Sequence, residues 1–165
     1  MVEIPLPSNF EVPKRKVYLF RGIPGAGKGF TIKKLQKTKN LSIYSADFFF
    51  EENGVYKFDH TKLRDAHSFC FKSYLADCYD LLRTGDIVVD NTNIRAWEIA
   101  PYIQVANAYG LDHEIITVWC NPIVAAKRNV HGVPADKVLS MYQALLKEEL
   151  PPMWKYKIVY VEENI

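Results

Sequence analysis

Residues 17–29 read Val17-Tyr18-Leu19-Phe20-Arg21-Gly22-Ile23-Pro24-Gly25-Ala26-Gly27-Lys28-Gly29. A strand-like run enters a glycine-rich turn directly, and helical spacing follows through Phe30, Ile32, Leu35 and Gln36. Strand, GxxxxGK turn and helix in that order make a phosphate-binding loop. Its glycines let backbone N–H groups curl around phosphate oxygens with no side chain in the way. The helix N-terminus adds partial positive charge, and Lys28 adds a full charge for the β- and γ-phosphates. Gly22, Pro24, Gly25, Ala26, Gly27, Lys28, Gly29 and Phe30 are thus the expected contacts of ATP or another nucleoside triphosphate.

Gly29 stands where such loops carry the Ser or Thr that holds Mg2+, and Thr31 comes two positions too late to replace it. This GKG form resembles the loop of adenylate kinases. Mg2+ is still expected, because phosphoryl transfer needs it.

Outward from the loop, residues 41–44, 86–90, 113–119 and 157–161 read as further strands. Helices are expected over 59–84 (capped by Asp59, ended by Gly85), 95–109 (stopped by Gly110), 122–130 (opened by Pro122) and 135–150 (broken by Pro151-Pro152). Residues 46–58 are aromatic and irregular, with a turn at Asn53-Gly54. This alternation predicts an α/β fold, a three-layer P-loop NTPase sandwich with a parallel sheet of about five strands. Residues 17–165 form its single domain, residues 122–134 a small helical lid, and residues 1–16 an irregular leader. In such sheets the chemistry lies at the carboxyl ends of the strands.

The bulk properties fit an ordinary globular chain. Its 165 residues suit one domain. No stretch reaches the roughly 18 apolar residues of a membrane span, and the leader lacks a signal-peptide core. Cys70, Cys78 and Cys120 are odd in number and show no metal-ligand spacing. Reduced thiols, a cytoplasmic setting and no obligate protein partner are therefore expected. Residues 1–40 hold nine Lys and Arg against Glu3 and Glu11, a net +7 that leaves −5 for the rest of a chain totalling +2. That asymmetry suits an anionic partner, while Lys33, Lys34, Lys37 and Lys39 also suit a solvated helix face.

Three later segments carry candidate chemistry. Asp47 comes three residues after the second strand, where a carboxylate can accept a proton from an attacking hydroxyl. Asp90 ends an apolar strand, the arrangement in which a carboxylate orients Mg2+ or its waters. Asn91 and Thr92 follow with hydrogen-bonding groups, and Asn93 is placed to cap the next helix. Arg128 lies between two helices after the fourth strand, where it can close over the γ-phosphate. Phe48, Phe49, Phe50, Tyr56 and Phe58 surround Asp47 as core or as a stacking surface for a base. His67 reads as a helix position.

In order and spacing, GIPGAGKG, the Ser45-Ala46-Asp47 turn, the Asp90-Asn91-Thr92-Asn93 segment and the Lys127-Arg128-Asn129 to Val133-Pro134 segment resemble the 5′-kinase domain of bacteriophage polynucleotide kinase and its related small P-loop kinases. The resemblance runs from about residue 17 to residue 150. It implies Asp47 as the acid that activates an acceptor hydroxyl, Lys28 as the loop lysine and Arg128 as the lid arginine. It leaves the strand-end role between Asp90 and Asn91. Phe50 stands where the phage enzyme has a basic residue just after its catalytic acid. A phage source is compatible with the resemblance.

The expected function is ATP-dependent transfer of the γ-phosphate to a nucleic-acid hydroxyl, at a 5′-end or on a hydroxymethylated base of DNA. Two rivals stand beside it: a nucleotide or sugar kinase using the aromatic cluster as its pocket, and a nucleotide-binding module without turnover, suggested by Gly29. Bare binding, however, has no use for Asp47, Asp90 and Arg128 together.

Overall fold

The computed structural model describes residues 14–161. Along strand β1 (Lys16–Arg21) side chains alternate between two faces, as a strand dictates. Val17 and Leu19 enter one core, Tyr18 and Phe20 the other. After β1 come α1 (Lys28–Gln36), β2 (Leu41–Tyr44) and a 3-10 turn (Ala46–Phe50). A small hairpin of β3 (Glu51–Glu52) and β4 (Val55–Tyr56) leads through a second 3-10 turn (His60–Lys62) into α2 (Leu63–Tyr79). Then follow β5 (Asp86–Asp90), α3 (Ala96–Ala108), β6 (Asp112–Trp119), α4 (Pro122–Arg128), α5 (Ala135–Lys147) and β7 (Tyr156–Tyr160).

Five strands form one parallel sheet in the order β2-β5-β1-β6-β7. Helices α2 and α3 cover one face, packing Ala66, Cys70, Tyr74 and Ile99 on Val17, Leu19, Ile87 and Val89. Helices α1, α4 and α5 cover the other through Ile32, Ala125, Val138 and Leu145 on Tyr18, Phe20, Val88 and Val118. The expected three-layer P-loop fold is present, and the turns after β1, β2, β5 and β6 meet at one edge of the sheet. Among the described residues no helix is long and apolar enough to cross a membrane.

Several boundaries differ from the sequence expectation, each for a local reason. Asp59 caps the second 3-10 turn by accepting from the Thr61 N–H at 2.9 Å, so α2 proper begins four residues later. That helix ends at Tyr79 rather than near 84, because Asp80 turns its carboxylate onto the Leu82 N–H, a local bond that competes with the helix. Helix α5 stops at Lys147 because Glu148 is drawn away to cap α3, accepting from the Ala96 N–H at 2.7 Å and from Arg95 at 2.9 Å. The stretch expected to be irregular contains the β3–β4 hairpin. Asn53 (φ 52°) and Gly54 (φ 77°) both take the left-handed turn conformation, which sets Glu51 opposite Tyr56.

The expected leader of residues 1–16 is too long. Lys16 belongs to β1, and Arg15 is buried in the domain. Residues 1–13 lie outside the described part. Arg15 donates to the Gly85 and Asp77 carbonyls and pairs with the Asp77 carboxylate at 2.6 Å. The Tyr44 hydroxyl donates to the second Asp77 oxygen at 2.6 Å, and burial beside that carboxylate pushes the phenol up to about 12. Both charged side chains are almost fully enclosed, at 4% and 1% exposure.

Removing one partner of such a pair strands the other charge. Asp77→Ala is therefore expected to lower the unfolding free energy by about 3–5 kcal/mol, read as a fall in the urea midpoint at unchanged slope.

Candidate functional site

The turn after β1 is built so that its backbone can approach another backbone. Gly25 adopts φ 76°, and a Cβ there would lie 2.0 Å from the Ala125 carbonyl oxygen of α4. Only glycine allows both. The Gly22 N–H donates to the Thr92 carbonyl at 2.9 Å, which ties the loop to the segment after β5. Lys28 opens α1 and points its ammonium back over the loop, donating to the carbonyls of Gly22 (3.1 Å) and Ile23 (3.3 Å).

One cavity of about 810 Å3 opens over this loop. Pro24, Gly25, Gly27, Lys28, Gly29 and Phe30 line its floor. Asp90 lines it from β5, Asp47 from the first 3-10 turn and Arg128 from α4. The structure thus brings together Lys28, Asp47, Asp90 and Arg128. It also brings in Thr92 and His67, the latter an exposed side chain on the cavity wall. Ala26 goes elsewhere: its side chain is buried in the core and its N–H bonds the Ile23 carbonyl, so it shapes the turn without lining the cavity. Gly22 likewise takes part through its backbone bonds to Thr92 and Lys28.

The electrostatics of the cavity are set by enclosure. Lys28 is half-buried at the cavity floor, where desolvation lowers its pKa and the nearby Asp90 and Asp47 pull it back up. Burial raises the Asp90 carboxyl, and Lys28 opposes that rise. A polyphosphate between them adds negative charge beside Lys28 and so favours its charged form. Arg128 donates to the Cys120 sulfur at 2.8 Å, and among the described residues its Nε is buried without a hydrogen-bond partner. A guanidinium held this way has donor capacity left for a phosphate oxygen.

Asp90 and Asn91, the two candidates at the strand end, differ in their contacts. Asn91 accepts from the Ala46 N–H at 2.9 Å and lies against Cys70. It is a tie between β5 and the turn that carries Asp47, while Asp90 has its carboxylate beside Lys28. Asn93 does not cap α3. It takes a left-handed φ of 46° and donates to the Phe20 carbonyl at 2.8 Å, while Glu98 and Glu148 serve the helix N-terminus.

The donor set fits a Mg2+ that arrives with its nucleotide. Among the described residues no three His, Cys, Asp or Glu side chains converge to hold a metal. Asp90 is a single carboxylate facing the loop, and Mg2+ commonly takes one or two carboxylates plus substrate phosphates and water. Nothing lies within 4 Å of a Cβ built at Gly29, so the missing hydroxyl is not a matter of space. Thr31 is occupied, donating to the Gly27 carbonyl at 3.1 Å.

Two contacts of Asp47 were not foreseen in those roles. The Tyr56 hydroxyl donates to one carboxylate oxygen at 3.0 Å, and His131 Nε2 lies 3.5 Å from the other. Tyr56 was visible in sequence as part of the aromatic cluster. Its partner depends on the hairpin, and that depended on reading Asn53-Gly54 as a two-residue strand reversal. His131 sits three residues after Arg128, a spacing that carries no signal by itself.

A family model described as AAA domain matches residues 17–138. NEDD4-binding protein 2 of Homo sapiens is 35% identical over 130 residues, which is 76% of this chain and 7% of that protein. The chain therefore spans only a small part of that relative. A chain from the Pnkp1/Rnl/Hen1 RNA repair complex aligns at a TM-score of 0.67 and 15% identity, covering 91% of this chain and 51% of that one. A gluconokinase from Sinorhizobium meliloti 1021 aligns at 0.61 and 11%, covering 90% and 84%. The two structural likenesses show the fold, an α/β P-loop sandwich.

Two glycines of the loop give opposite expectations. Gly29→Ala meets open space within a helix and should keep or raise stability by a few tenths up to about 1 kcal/mol. Gly25→Ala meets both a strained φ and the Ala125 carbonyl, and should destabilise by about 1–3 kcal/mol while abolishing binding of a fluorescent ATP analogue. Thermal melting and an analogue titration of the two variants check this.

Proposed function

Because the chain belongs to the AAA domain family, we propose that it is an ATP-dependent phosphotransferase acting on a hydroxyl of a nucleic acid. The observation that supports this reading is the single cavity in which Lys28, Arg128 and Asp90 face the same space as Asp47. Binding a triphosphate has no use for a carboxylate on the far wall, whereas activating a hydroxyl has.

In this mechanism the loop amides and Lys28 hold the β- and γ-phosphates. The acceptor hydroxyl approaches between Asp47 and the γ-phosphorus, in line with the β–γ bridging oxygen. Its proton passes to the Asp47 carboxylate as its oxygen bonds phosphorus and the bridging bond breaks. Lys28 and Arg128 neutralise the charge that develops on the transferring group. Asp90 is the residue that would hold a Mg2+ brought in with the nucleotide, and the ion would supply charge neutralisation at the phosphates. Phe58, half exposed at the cavity wall, offers a ring on which a terminal or extruded base can stack.

A second reading, a small-molecule kinase, draws on the composition of the same wall. The lining it shares with Asp47 includes Phe50, Tyr56, Phe58, His60, Leu63 and His67, an aromatic set suited to a small acceptor. If the acceptor is a polynucleotide, its binding should be weak and only shallowly salt-dependent.

Incubating the chain with γ-labelled ATP, Mg2+ and a panel of 5′-hydroxyl oligonucleotides, hydroxymethylated DNA, nucleosides and sugars tests the proposal. Label in an oligonucleotide or the modified DNA is the expected result. Label only in a nucleoside or sugar moves the assignment to the second reading, and ATP binding without label in any acceptor overturns phosphotransfer. Asp47→Asn is expected to keep nucleotide affinity while transfer falls by roughly 100-fold or more. Lys28→Ala is expected to lose nucleotide binding or turnover in a folded chain.

A further inference from the structure

The lid carries more than an arginine. The Asn129 side chain accepts from the Val133 N–H at 3.0 Å and donates to its carbonyl at 2.8 Å, which pins residues 129–133 into one loop. Gly132 within it takes a left-handed φ of 68°. His131 at its tip is thereby presented to the opposite wall of the cavity. Its ring lies 4.7 Å from the Tyr56 ring, and its Nε2 lies 3.5 Å from Asp47 Oδ2. Tyr56 donates to Asp47 Oδ1 at 3.0 Å from β4, which the hairpin turn holds in register. Both oxygens of the proposed acceptor-activating carboxylate are thus addressed, one by the hairpin and one by the lid.

We propose that His131 is a positioning residue that latches the lid onto Asp47 and Tyr56, so that closure over the donor phosphates and alignment of the acceptor base are one event. The inference rests on the phosphotransferase reading of the site. The backbone geometry supports the coupling: the loop tip is three residues from Arg128, and α4 is seated on the phosphate loop at Gly25. With α4 seated there, an inward movement of the Asn129-clamped loop carries His131 toward Asp47 next to a fixed Arg128. The 3.5 Å separation is too long for a strong hydrogen bond, and a small inward movement converts it into one. Tyr56 then keeps the carboxylate from rotating, with Oδ2 turned toward the lid and the acceptor.

The test has two independent arms. In the first, wild type, His131→Ala, His131→Gln and Tyr56→Phe are compared in transfer assays. His131→Ala is expected to lower kcat about tenfold or more with KM for ATP within about twofold, the signature of misalignment. His131→Gln, whose amide can replace the imidazole donor, is expected to recover most of that loss, and Tyr56→Phe to behave like His131→Ala. In the second arm, hydrogen exchange is followed in the complex with a non-hydrolysable ATP analogue, with α1 as internal reference. Exchange across residues 129–134 is expected to rise several-fold in both His131→Ala and Asp47→Ala. Unchanged kcat in His131→Ala, or lid exchange indifferent to both variants, overturns the latch. If wild type transfers phosphate to no acceptor, the phosphotransferase reading falls by itself, and the exchange arm still decides the latch.

Discussion

The close approach of Gly25 to the backbone of α4 is the constraint on which the site depends. Two main chains can touch this way only where one lacks a Cβ, and the turn's positive φ asks for the same residue. The contact fixes the lid helix relative to the phosphate loop without any side chain between them. Arg128 leaves the last turn of that helix, and the Asn129-clamped loop follows at once. The place of Arg128 in the cavity and the reach of His131 to Asp47 are both inherited from this one backbone junction. A second tie, Gly22 to Thr92, does the same between the loop and the end of β5.

What was legible in the sequence follows from how local each constraint is. The phosphate loop is specified by glycine spacing between a strand and a helix, all within thirteen residues, so its strand–turn–helix form was legible, while the inward turn of the Ala26 side chain follows from the core beneath it. The sheet was legible because each strand is a short apolar run and each helix has its own period. Helix ends were harder, since a single side chain can compete there. Asp80 ends α2 from within its neighbourhood, while Glu148 ends α5 by serving α3 from 52 residues away. The Arg15–Asp77 pair and the contacts of Asp47 with Tyr56 and His131 are products of tertiary folding, and no spacing announces them.

Charge shows the same lesson. The basic N-terminal stretch suggested an anionic partner, yet the fold uses much of it internally. Arg15 is buried on Asp77 and Arg21 on the carbonyls of Asn93 and Ile94. Lys16 pairs with Glu114 and Lys39 with Asp86, while Lys34 lies over the Phe30 ring at 4.4 Å. The residues left to meet a polyanion are fewer than the count implies. The cavity lining that includes Asp47 also carries the aromatic rings of Phe50, Tyr56 and Phe58. Under the proposed function, such rings favour stacking over long-range attraction in holding the acceptor.

In the proposed mechanism a hydroxyl activated by Asp47 attacks phosphorus directly and in line, with no phosphorylated protein side chain on the way. The stereochemical course at phosphorus tests this most directly. It is read by using ATP made chiral at the γ-phosphorus with sulfur and oxygen isotopes, and then analysing the configuration of the phosphorylated acceptor. A single in-line displacement predicts inversion. Retention would require two displacements, with a side chain of the cavity carrying the phosphoryl group between them, and would contradict the role assigned to Asp47.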